Sequence, residues 1–241
     1  PAVPEVSVQD NCNGTSILST NAAGNLLWSN GATTSAITVN TAGTYTVTTT
    51  VNGCTSSSGS GTANPNTAAA TPVVTVVDNC NGTSTLSTNA AGSLLWNTGQ
   101  TTSSITVNSA GVYTVTATIN GCSSNPGSGT AAPKSTPATP VVSVMNNCNG
   151  TSTLTTNAAG SLLWSTGATT STITVNSAGS YTVTTTSNGC TSAPGSGVAA
   201  PKTTPATPVV TVVNNCGNSI LSTNAAGSLL WSNGATTASI T

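Results

Sequence analysis

Cysteine carries most of the chemistry available to this chain, and its spacing is regular. Cys12, Cys80, Cys148 and Cys216 recur at 68-residue steps, and Cys54, Cys122 and Cys190 each follow 42 residues after one of the first three. Thiols placed this way could bind zinc or form disulfides. Zinc requires four ligands, and here there is no His, no closely spaced Cys pair and only two thiolates per repeat. The spacing therefore predicts one disulfide per repeat, pairing Cys12 with Cys54, Cys80 with Cys122 and Cys148 with Cys190. Each would close a 42-residue loop and contribute about 4 kcal/mol in the chain-entropy treatment. Cys216 is left unpaired in this segment. Regular cysteine pairs in small repeated units point to an oxidising compartment outside the cytoplasm.

Other chemistry lacks its parts. The acids are Glu5, Asp10 and Asp78, and no repeat holds a recurring pair. General acid–base catalysis, a nucleophile–base dyad and a carboxylate metal cage are all missing members. The expectation is no enzyme activity, no cofactor and no metal. Two Lys, no Arg and a net charge of −1 exclude a basic nucleic-acid footprint and a polybasic membrane patch. No apolar run approaches the ~20 residues of a spanning helix, so no membrane insertion is expected of this segment. A surface so weakly charged repels itself little and favours association.

The elements that must position the cysteines follow from the same period. A period of 68 residues means a row of similar small domains, here 1–68, 69–136, 137–204 and a shorter fourth copy, 205–241. The second copy reads as strands over Val73–Val77, Thr83–Ser87, Ser93–Trp96, Ser104–Val107 and Tyr113–Ile119, with alternation placing Val74, Val76, Ile105 and Val107 inward. Asn120-Gly121 suits a two-residue hairpin, as do Asn52-Gly53 and Asn188-Gly189. No segment has a helical apolar period. The fold class is all-β: a tandem array of small disulfide-stapled immunoglobulin-like β-sandwich domains joined by Pro/Gly/Ser linkers. Its core leans on Trp28, Trp96, Trp164 and Trp231, with Tyr45, Tyr113 and Tyr181 opening a late strand in the manner of a tyrosine corner. The fourth copy loses one residue just after Cys216, which is harmless only in a turn; a turn is expected after each first cysteine. Pro126-Gly127-Ser128-Gly129 and the prolines beyond it read as an extended, semi-rigid spacer holding Lys134, with Lys202 in the next. The fourth copy stops at Thr241, leaving a window cut from a longer array or completion by another chain as alternatives.

One continuous pattern runs from Leu27-Trp28-Ser29-Asn30-Gly31-Ala32-Thr33-Thr34 through Ile37-Thr38-Val39 and Ala42-Gly43-Thr44-Tyr45-Thr46-Val47 to Asn52-Gly53-Cys54. It recurs at Trp96 to Cys122 and at Trp164 to Cys190. This pattern resembles the immunoglobulin-like repeats of large Bacteroidota cell-surface proteins, including gliding-motility adhesins and other type IX secretion substrates. The resemblance implies an extracellular or cell-surface filament, acting as a stalk or fibre building block. The partners expected are neighbouring repeats or further copies in self-associated filaments. A multivalent glycan- or surface-binding module is the second reading, weakened because both aromatics of each repeat are assigned to the core. Ice binding by the outward row Thr44, Thr46, Thr48 and Thr50 is a third, set against a plain solvated sheet face. Asn13-Gly14-Thr15, Asn81-Gly82-Thr83 and Asn149-Gly150-Thr151 match a glycosylation sequon but read as turn residues.

Overall fold

The computed structural model describes residues 1–241. In the first repeat the strands are β1 (Ser7–Asp10), β2 (Ser16–Ser19), β3 (Asn25–Trp28), β4 (Ala36–Val39), β5 (Gly43–Val51), β6 (Cys54–Thr55) and β7 (Gly59–Ala63). One sheet has the order β1-β2-β4, and the other β3-β5-β6 with β7 also paired to β5. All pairings are antiparallel. The second and third repeats reproduce this order within Thr75–Ala131 and Ser143–Ala199. Each is an immunoglobulin-like β-sandwich.

Alternation builds the core. In β3, Leu26 and Trp28 turn inward while Leu27 faces solvent, and in β4 Ile37 and Val39 turn inward. They meet Leu18 of β2 and Val47 of β5, both fully buried. Trp28, Trp96 and Trp164 are at most 2 % exposed, and each indole Nε1 donates to a backbone carbonyl six residues on, at Thr34, Thr102 and Thr170. Tyr45, Tyr113 and Tyr181 pack on the rims of their cores. Their hydroxyls donate to the carbonyls of Thr41, Ser109 and Ser177, four residues upstream, the geometry of a tyrosine corner. In the second repeat Ile105 is buried while Val74, Val76 and Val107 are partly so. Asn52, Asn120 and Asn188 sit at φ 50–51°, each followed by a positive-φ Gly, as a type I′ hairpin turn requires.

The Gly-Ser-Gly stretches are not linker. Gly59–Ala63, Gly127–Ala131 and Gly195–Ala199 are five-residue strands. Glycine is needed there because another chain segment lies against it. A Cβ on Gly59 would sit 1.9 Å from the Pro4 carbonyl oxygen, and one on Gly61 2.7 Å from side-chain carbons of Val6 and Val8. Composition alone made a close-packed strand look like part of an extended, semi-rigid spacer.

The chain clusters into two compact units, Pro1–Ser135 and Thr136–Thr241. In the second unit the fourth repeat has strands Thr211–Asn215, Asn218–Ser222 and Ser239–Ile240 in one sheet, and the 241 residues hold no counterpart of β5–β7 for it. Trp231 is therefore not a buried core residue. It lines an open cavity of about 320 Å³ with Pro208, Val210, Leu229 and Leu230.

Candidate functional site

The site is made by the two cysteines and the turns that present them. Cys12 lies in the turn between β1 and β2. Asn11 N–H donates to the Thr15 carbonyl at 2.9 Å, and Asn13 Oδ1 accepts from Thr15 N and Thr15 Oγ1. Gly14 takes φ 80°, accessible without strain only to glycine among ordinary residues. The turn expected after each first cysteine is thus present, and the sequon side chains of Asn13, Asn81 and Asn149 are spent in holding it. In the fourth repeat the deletion is absorbed there: Asn215 pairs with Asn218, leaving Cys216-Gly217 as a tighter two-residue turn.

The segment after β7 is strapped to this turn. Gly14 N–H donates to the Asn66 carbonyl at 2.7 Å, and Ala68 N–H donates to the Cys12 carbonyl at 2.8 Å. The same ties join Gly82 to Lys134 and Gly150 to Lys202. A carboxylate latches the strap. Asp10 Oδ1 accepts from Ser16 Oγ at 2.5 Å and from Asn64 N at 2.9 Å. The Ser16 bond first, then the Asn64 bond, holds the Asp10 carboxyl below the usual range. Asp78 is lowered in the same way by Ser84 and then Ala132. In the third repeat Asn146 accepts the equivalent bonds from Ser152 and Ala200. The Pro-rich segments were expected to be extended spacers, but at these points they are hydrogen-bonded parts of the fold. Nothing in the sequence marked the latch beyond the Asp10-to-Ser16 spacing.

Topology decides where the thiols go. β7 runs alongside β1 in the same direction: its start, Gly59, lies against Pro4, and the residue after its end, Asn64, meets Asp10. Cys54 opens β6, before β7 begins. About ten extended residues at about 3.3 Å each put Cys54 and Cys12 about 30 Å apart, at opposite poles of one sandwich. A bond between them is excluded, since bridged Cα atoms lie within about 7 Å.

Cys12 instead bonds Cys122 of the second repeat, with Cα atoms 5.4 Å apart and 110 residues between them in sequence. The predicted pairing within a repeat is corrected to a pairing between neighbours, 110 being one 68-residue period plus the 42-residue offset. Both spacings were equally compatible with the sequence, and strand order chose between them. Cys80 and Cys190 are disulfide-bonded as well. Cys54 and Cys148, expected in disulfides, are free and exposed, as is Cys216. Closing a loop of about 110 residues stabilises by about 5 kcal/mol in the chain-entropy treatment.

No family model matches the chain, and no curated protein matches it. Among solved structures it is similar to domains A168–A170 of titin, at 14% identity and TM-score 0.34, over 83% of this chain and 97% of that one. It is also similar to the FN1–FN3 domains of chicken CNTN1, at 11% identity and TM-score 0.26, over 83% and 99%.

Proposed function

We propose that this chain is a structural repeat segment of an extracellular cell-surface adhesin or filament, serving as stalk or fibre building block. The observation that carries the reading is the Cys12–Cys122 bond. It ties one pole of the first sandwich to the opposite pole of the next. Tension along the chain then passes through a covalent bypass, and the residues between the two cysteines cannot be drawn out. A load-bearing stalk needs this property, and a catalyst or soluble binding module does not. The disulfides fit an oxidising extracellular setting. The dearth of acid–base and nucleophile–base sets supports a non-enzymatic role. The resemblance to Bacteroidota surface repeats adds the cell surface and export by type IX secretion to the proposal.

Single-molecule stretching of the 241-residue chain tests it. Reduction should lengthen the extensible chain by at least about 360 Å, the ~110-residue loop at about 3.3 Å per residue. Equal extension before and after reduction would remove the bypass and the stalk reading with it.

A further inference from the structure

The two ends of the Cys12–Cys122 bond are unequal. Cys12 is exposed, in the turn between β1 and β2. Cys122 is 2% exposed and opens the short strand after the Asn120-Gly121 turn. Each end is held by backbone ties that do not pass through sulfur. The Cys12 carbonyl accepts from Ala68 N–H at 2.8 Å, and Asn11 N–H closes the turn on the Thr15 carbonyl. Cys122 pairs with Ile119 across its hairpin. Exchange at a disulfide needs a nucleophile in line with the S–S axis, behind the sulfur it attacks, so access selects the sulfur. That approach is open at Cys12 and closed by protein at Cys122.

We propose that this bond is a one-sided, reversible modification site, at which a low-molecular-weight thiolate attacks the Sγ of Cys12 and not that of Cys122. A new S–S bond forms between the incoming sulfur and Cys12. The Cys12–Cys122 bond breaks, and Cys122 leaves as a thiolate that takes a proton from water. The incoming thiol is oxidised and Cys122 is reduced, so no further oxidant or reductant enters. One effect opposes this direction: Cys122 leaves into a buried place, where charge is costly. Access outweighs it, because attack at Cys122 would first carry the charged nucleophile into that same place. The ties at Ala68, Thr15 and Ile119 keep the freed Cys122 beside the modified Cys12. Its thiolate then attacks the Cys12 sulfur, expels the small group and recloses the bond. The junction of the first two repeats is thus opened and resealed from the Cys12 side. The proposal rests on the bond itself and not on the stalk reading.

Sulfite is the probe, because it leaves an S-sulfonate on the sulfur it attacks and frees the other as a thiol. The native 241-residue protein, its free thiols first capped with iodoacetamide, is treated with excess sulfite, quenched in mild acid and capped with a maleimide. Peptide mapping should place the sulfonate on Cys12 and the maleimide on Cys122, at least tenfold over the reverse. In denaturant the preference should vanish, since both sulfurs are then open. Removing sulfite before the maleimide step should restore Cys12–Cys122. A sulfonate on Cys122, an even split in the native protein, no reaction until denaturation, or failure to reclose would overturn the proposal. Stretching of the untreated chain reads the bond independently, so such a failure leaves the stalk reading standing.

Discussion

Asp10 and Asp78 do one job that Asn146 does without a charge. Their carboxyl pKa values are depressed in the fold, chiefly by the serine hydroxyls of Ser16 and Ser84. The latch therefore adds stability above the unfolded carboxyl range, and that contribution is lost as pH falls through the lowered folded value. Asp10→Asn combined with Asp78→Asn should flatten the acid limb of stability below about pH 4, read by denaturant melts at several pH values. An unchanged acid limb would mean that the latch is not what titrates. Gly127 makes a sharper prediction. A Cβ there would sit 1.9 Å from the Pro72 carbonyl oxygen, which is backbone and has nowhere to go. Gly127→Ala should cost about 3 kcal/mol or more by overpacking, measured as a lowered denaturation midpoint. A loss under about 1 kcal/mol would show that the strand shifts freely and that the glycine is not demanded.

At the scale of the element, each sandwich depends on one large ring. Trp96 is 1% exposed and meets Leu86, Leu94, Ile105 and Val115 in a core without phenylalanine. Trp96→Ala should destabilise its repeat by about 3–5 kcal/mol, and retained cooperative melting at the parent temperature would contradict it. Strand positions were largely legible in sequence: Ser93–Trp96 and Ser104–Val107 appear as expected, because alternation and β-branching act locally. The start of the first strand slid from Val73 to Thr75. Gly-Ser-Gly escaped recognition because its reason for being glycine, the neighbouring Pro4 or Pro72 backbone, is more than fifty residues away in sequence. The spacers behave likewise. Lys134 N–H donates to Asn79 and its carbonyl accepts from Gly82, so native chain should resist trypsin at Lys134 and become cleavable once denatured. Rapid native cleavage would show that the strap opens readily.

At the scale of the molecule, the redox pattern gives a direct check. Alkylation of the native oxidised protein should label Cys54, Cys148 and Cys216 and spare Cys12, Cys80, Cys122 and Cys190. Labelling of Cys216 alone, with Cys54 and Cys148 protected, would restore the pairing within a repeat. The amino-acid sequence alone determined the 68-residue period, the all-β class, the Asn-Gly hairpins, the tryptophan cores and the expectation that cysteines pair. These follow from side-chain periodicity and backbone preference, which act over a few residues. The choice of partner was left to the tertiary structure. Strand order sends Cys12 and Cys54 to opposite poles about 30 Å apart, so Cys12 meets Cys122, which the next sandwich presents.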